Sequence, residues 1–125
     1  MAEISVIVPC YNVAPYIDRC LTSITSQTID LSLLEIICID DASTDTTWSR
    51  LQQWESDFPQ NIMIVHCDNN GGLSKARNIG MQYSSSPWVA FIDSDDWIEP
   101  DYFEKMYFAA IHMKADLITC GSVRD

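Results

Sequence analysis

The sequence predicts an α/β fold, a mainly parallel sheet with helices on both faces, on three observations. Apolar runs of four to six residues recur along the chain, amphipathic helix patterns separate them, and polar clusters stand where the runs stop. Continuous apolar runs alternating with helices are the mark of a sheet buried on both faces.

Ile4-Ser5-Val6-Ile7-Val8 is β-branched and stops at Pro9, as a buried strand would. A helix is expected after Tyr11-Asn12, with Pro15 in its first turn, where a missing N–H costs no bond. Its Ile17, Leu21 and Ile24 fall at i, i+4 and i+7 and form one apolar stripe. The run from Leu34 to Ile39 is a second strand, stopping at Asp40-Asp41. Ser43 or Thr44 suits the cap of the next helix, whose apolar face includes Trp48, Leu51 and Phe58, with Pro59 closing it.

Ile62-Met63-Ile64-Val65 is a third strand, followed by the turn Asn69-Asn70-Gly71-Gly72. A third helix opens at Ser74 and runs toward Tyr83, where Ser84-Ser85-Ser86-Pro87 breaks it. Trp88 to Ile92 is a fourth strand ending at Asp93. Pro100 opens a fourth helix with Phe103, Met106, Tyr107, Ala110 and Ile111 on one face, and Asp116 to Cys120 is a fifth strand. No linker or repeat divides the chain, so residues 1–125 are read as one domain.

Composition narrows the function. The formal net charge of −11 argues against nucleic acid, whose phosphates demand Lys and Arg, and against electrostatic attachment to anionic lipid. A phosphorylated ligand remains compatible if a divalent cation stands between it and the acidic groups. No apolar run is long enough to span a bilayer, and Met1-Ala2-Glu3 does not open a signal peptide, so a soluble, cytoplasmic chain is expected. The five scattered cysteines contain no C-x-x-C pair, which suits reduced thiols and disfavours zinc. His66 and His112 are isolated and read as structural or surface residues.

In open α/β sheets, ligands bind beyond the carboxyl ends of the strands. Three polar clusters fall there: Pro9-Cys10-Tyr11-Asn12, Asp40-Asp41 and Asp93-Ser94-Asp95-Asp96. The last carries three carboxylates in four residues, and their mutual repulsion calls for a hard cation, Mg²⁺ or Mn²⁺. Asp40 and Asp41 suit a cation, a base or a ribose, or a helix cap. Gly71-Gly72 permits close backbone approach, and Lys75 and Arg77 form the basic patch nearest this edge, suited to a diphosphate. G-x-G-x-x-G after the first strand, G-x-x-x-x-G-K-[ST] and G-x-S-x-G are all missing, so dinucleotide, P-loop and hydrolase-elbow chemistry lack support.

Four blocks in series resemble the signatures of family 2 glycosyltransferases: Ser5 to Asn12, Asp40 to Asp45, Asn70 to Gly80 and Phe91 to Trp97. Gln27-Thr28, closing the first helix, also matches. The resemblance covers essentially the whole chain. It implies a Rossmann-like GT-A nucleotide-binding domain and an inverting transfer of sugar from a nucleotide-diphospho-sugar, often a UDP-sugar, to an acceptor hydroxyl. It further implies Mn²⁺ or Mg²⁺, a saccharide or lipid-linked acceptor, a role in polysaccharide biosynthesis, and peripheral membrane association for the full-length protein.

By the same resemblance, Pro9, Tyr11 and Asn12 belong to the substrate site, the first two lining the base pocket. Asp41 takes the place of the carboxylate that meets uracil, and Arg77 that of the basic residue near the diphosphate. Asp93, Ser94 and Asp95 form the D-x-D element, whose first aspartate lies toward the ribose. Asp95 and Asp96 are the metal ligands, with the principal one open. Members are usually much longer, and their catalytic base lies downstream of D-x-D; no residue here matches it, so a truncated, donor-binding portion is expected, without the acceptor-binding part and without transfer activity. Two other readings stand beside this one. Asp93-Ser94-Asp95 echoes the D-x-D of haloacid-dehalogenase-like phosphatases, and an acidic pocket at strand ends suits a receiver-like signalling domain.

Overall fold

The computed structural model describes residues 2–113. Four strands and four helices alternate: β1 (Ile4–Cys10), α1 (Ala14–Thr25), β2 (Leu34–Asp40), α2 (Thr47–Asp57), β3 (Ile62–His66), α3 (Leu73–Tyr83), β4 (Trp88–Phe91) and α4 (Tyr102–Met113). The strands pair in the order β3-β2-β1-β4, and every pairing is parallel. The expected fifth strand at 116–120 lies outside the described residues.

Alternation along the strands sorts their side chains into two layers. Val6, Val8, Ile36 and Cys38 join Ile17, Leu21 and Ile24 of α1, Leu51 of α2 and Phe103 of α4 in the larger core. Ile37 and Ile39 point the other way and pack on Ala76 and Ile79 of α3. Each fully buried Leu, Ile or Phe stabilises the fold by about 1.5–3 kcal/mol. The i, i+4, i+7 stripe of α1 therefore lands where its spacing put it.

Pro9 does not end β1, which runs on to Cys10. β4 pairs with β1 only as far as Ile7, while β2 continues alongside through Cys10. Ile7 faces β4, its carbonyl accepting from Ile92 N, so Pro9, two residues on, faces the same side beyond the end of that ladder. A proline there removes no strand bond.

The helix after β2 starts later than expected, at Thr47. Ser43 and Thr44 are drawn into contacts with Asn12 instead, and Asp45 Oδ1 takes the Thr47 N–H at 2.9 Å. On α4 the expected apolar face is only partly covered. Phe103 and Met106 are buried, but Ile111 is exposed. No helix among the described residues is long and apolar enough to cross a membrane.

Asp18 ties α1 to α2. Its carboxylate receives Arg50 Nη2 at 2.8 Å and the Trp54 indole N–H at 2.8 Å. Partial burial opposes ionisation, but these donors prevail and hold the carboxyl below its ordinary value. Its contribution is thus full above the ordinary carboxylate pKa and is lost as pH falls through the lowered one. Asp18→Asn should cost about 1 kcal/mol at pH 7. In urea melts across pH, the gap to the parent chain should close as pH falls below 3.8.

Gly80 lets α3 lie close on β1. A Cβ there would stand 2.5 Å from Ile7 Cγ2, inside the packed layer. Gly80→Ala gains helix propensity yet should lower stability by about 1–3 kcal/mol through overpacking. Adding Ile7→Ala should make the alanine at position 80 less costly, a non-additivity that a double-mutant cycle reads directly.

Candidate functional site

Because all four strands run the same way, the carboxyl ends of β1, β2 and β4 meet on one edge of the sheet. The loops leaving those ends are fastened to one another. Asn12, in the left-handed region at φ 51, accepts the Thr44 N–H with its side-chain carbonyl at 2.7 Å, and its own N–H donates to Ser43 Oγ at 2.9 Å. Buried Asp40 receives the Ser43 N–H on Oδ1 and meets His66 Nδ1 at 2.9 Å on Oδ2. His66 thereby has a partner within the fold, with Trp48 packed on its ring at 4.6 Å.

Asp41 organises the next element. Its two carboxylate oxygens accept the N–H groups of Gly71 and Gly72 at 2.8 and 2.9 Å, and only 5% of the residue is exposed. Gly72 caps α3 at φ 91, a conformation that suits glycine alone, so the turn brings its backbone directly against the carboxylate. A negative charge is well placed at a helix N-terminus. Between these parts lies a cavity of about 340 Å³, lined by Pro9, Tyr11, Asp41, Gly72, Leu73 and Ala76 among others.

The acidic turn follows β4. Ligand oxygens of Asp93, Asp95 and Asp96 all lie within 4.8 Å of one another, with Asp96 buried and the other two exposed. Such an all-oxygen set fits a hard divalent cation. Arg77 reaches across from α3, Nη2 to Asp93 Oδ1 at 3.8 Å, with its guanidinium over the Phe91 ring at 5.5 Å. Its Nε is buried and finds no hydrogen-bond partner among the described residues.

The expected site residues therefore gather on one edge in two neighbouring groups: Pro9, Tyr11 and Asp41 around the cavity, and Arg77, Asp93, Asp95 and Asp96 at the turn. Two expected members are engaged within the fold. Asn12 is occupied with the loop after β2, and Ser94 is buried against the Cys10 thiol. Cys38 and burial push that thiol's pKa up, as burial does for Cys20, so both stay protonated. Of the described cysteines, Cys10, Cys20, Cys38 and Cys67 are free.

Residues in α1 and just after it that the composition did not single out for the site hold the turn in place. Gln27 Nε2 donates to Glu99 O at 2.6 Å, and its Oε1 accepts the Phe103 N–H at 2.9 Å. Ser23 Oγ accepts the Ile98 N–H, and Thr28 N–H donates to Pro100 O. Gln27-Thr28 had shown itself only as part of a sequence pattern. Tyr16 and Arg19, also beside the turn, gave no signal beyond being polar positions on an amphipathic helix.

A parallel α/β sheet with a cavity and a three-carboxylate turn on its carboxyl edge defines a ligand-binding domain of the Rossmann-like class. A family model for glycosyl transferase family 2 matches residues 5–125, and the chain belongs to that family. Glycosyltransferase GlyA of Streptococcus pneumoniae is 41% identical over 115 residues, which make up 92% of this chain and 16% of GlyA. The crystal structure of S. aureus TarS residues 1–349 with UDP superposes with a TM-score of 0.83 at 30% identity, covering 91% of this chain and 33% of that one. The same protein is also known with UDP-GlcNAc. The mannosyltransferase PcManGT of Pyrobaculum calidifontis, in complex with GDP-Man and Mn²⁺, gives a TM-score of 0.72 at 31% identity over 77% of this chain and 28% of that one. The chain thus spans a third or less of each of these three proteins. The fold is the GT-A fold of TarS, and the phosphatase and receiver-like readings give way to the family.

Removing the Asp41 carboxylate orphans two backbone donors at once. Asp41→Ala should cost about 2–4 kcal/mol in denaturant unfolding. Asp41→Asn keeps one acceptor and should fall between the two chains. Equal stability of all three would show that the Gly71-Gly72 turn is held by something else.

Proposed function

We propose that this chain is the donor-binding part of an inverting glycosyltransferase that moves a sugar from a UDP-sugar to an acceptor hydroxyl, with Mn²⁺ or Mg²⁺ as its cofactor. The observation that carries this reading is the meeting, on one sheet edge, of a base-sized cavity, an arginine and three clustered carboxylates. Uracil would enter beside Pro9 and Tyr11. Each Asp41 oxygen already accepts one backbone N–H, and a carboxylate oxygen can accept a second, so the imide N–H of the base still finds an acceptor there.

Arg77 would turn its free donors to the diphosphate. Asp93 would lie toward the ribose, and Asp95 and Asp96 would hold the metal. When bound, the cation supplies Lewis-acid stabilisation of the charge that grows on the leaving diphosphate. An acidic site can then receive an acidic ligand, because the carboxylates are balanced before the phosphates arrive. Uridine complexes of TarS support the choice of base, and the Mn²⁺ complex of the mannosyltransferase supports the metal. The catalytic base is assigned to none of these residues. We further infer a saccharide or lipid-linked acceptor and a reducing, cytoplasmic setting in keeping with the free thiols.

Calorimetry with UDP and Mn²⁺ tests the assignment. Binding should weaken at least tenfold when Mn²⁺ is chelated, and again in Asp95→Asn, whose exposed position leaves folding intact. Replacing UDP by GDP should weaken it further if Asp41 reads the base. Affinity unchanged by chelation and by Asp95→Asn together would overturn the metal role.

A further inference from the structure

A second recess opens on the other side of the acidic turn. It has a volume of about 320 Å³ and is lined by Tyr16, Arg19, Asp95, Asp96 and Trp97. Tyr16 and Arg19 come from α1, whereas the first cavity and Arg77 involve α3. The two helices pack on opposite faces of the sheet. The turn therefore stands between two recesses, with Asp93 facing the α3 side through Arg77 and the Asp95 carbonyl facing the α1 side through Arg19.

Arg19 is the unusual member. Its Nη2 makes one long bond, 3.5 Å, to the backbone carbonyl of Asp95. Among the described residues it forms no ion pair, although two carboxylates share its recess. A guanidinium has five N–H donors, so four remain for a ligand. Trp97 and Tyr16 add two aromatic rings to the lining, and an aromatic ring is a surface on which the C–H face of a sugar packs well.

We propose that this recess is an acceptor subsite for an anionic saccharide, in which Arg19 binds a phosphate or carboxylate oxygen and Trp97 and Tyr16 flank the sugar ring. The proposal rests on the donor reading above. An inverting displacement requires the incoming hydroxyl to approach the anomeric carbon from the side away from the departing diphosphate. If the diphosphate lies toward Arg77, the acceptor comes from the side of Arg19. A cation on Asp95 and Asp96 would turn the recess from acidic to electropositive, so acceptor affinity becomes dependent on the metal.

The test is a titration followed by the indole N–H signals of the four tryptophans, with Mg²⁺ present, in the presence and absence of UDP. Glucose 6-phosphate and glucuronate are the anionic probes, and glucose and inorganic phosphate are the controls. The Trp97 signal should move with a sugar anion at least tenfold more tightly bound than glucose or phosphate, and the two anions distinguish a phosphate from a carboxylate acceptor. Arg19→Gln should abolish that advantage and Arg19→Lys should keep part of it, while UDP affinity stays within twofold. Arg19 is exposed, so neither substitution should disturb folding. A still Trp97 signal, equal binding by inorganic phosphate, or an advantage that survives Arg19→Gln overturns the subsite. A fall in UDP affinity with Arg19→Gln overturns it too, by assigning the guanidinium to the donor. Failure of the donor reading would show separately, as UDP that does not bind the parent chain.

Discussion

Everything at the site depends on the parallel pairing of β1 with β2 on one side and β4 on the other. Parallel strands can be joined only by crossovers that return the chain to the opposite edge. Each strand therefore delivers its last residues to the same edge, and the chain must turn there four times. These turns are where backbone groups leave the ladder and need new partners. Asp40, Asp41 and Asn12 supply them, with backbone N–H groups of Ser43, Gly71, Gly72 and Thr44 as donors. The polar character of the edge is thus partly a requirement of the fold, which any ligand then shares.

That sharing explains how two adjacent aspartates can differ so much. Asp40 is the last residue of β2, fully buried, and spends both oxygens inside the protein. Asp41, one residue on, is rotated to the other side and lines the open cavity while it ties down the α3 turn. Both carboxylates fasten the scaffold, and only the second also stands in the wall of a cavity. The left-handed φ of 61 at Ala42 completes that reversal, a strained conformation for a non-glycine residue.

The sequence was most legible where a physical period repeats. The stripe Ile17, Leu21, Ile24 and the apolar runs of all four described strands could be read because burial on one face leaves a spacing behind. The acidic turn was legible because three carboxylates in four residues are costly without a purpose. What could not be read was anything set by a distant partner. Pro9 looked like a strand end because nothing local reveals that β4 stops short of it. Ser43 and Thr44 looked like helix caps because nothing local reveals Asn12. Asn12 and Ser94 stood out as polar residues at strand ends, yet the first is engaged by a loop some thirty residues away and the second lies against a buried thiol. Arg19 stayed invisible for the converse reason. A lone arginine on a helix is ordinary until its neighbours, and its lack of an ion pair, are known.

The acidic turn itself is held by parts that do not belong to it. One end emerges from β4, where Ile92 N–H is fixed on Ile7 O. The other end runs into Ile98, Glu99, Pro100 and Phe103, each bonded to Ser23, Gln27 or Thr28 at the foot of α1. The separation of the three carboxylates is therefore imposed by the sheet and α1 together. A free loop of this composition would spread until repulsion relaxed. Held at both ends, it keeps its charges close at a cost met by packing elsewhere in the domain. A turn held in this way would need no reorganisation to receive a cation, and preorganised charge is what makes electrostatic stabilisation effective. The Gln27 side chain, far from any ligand in the sequence, is accordingly as much a part of this site as the aspartates it keeps in place.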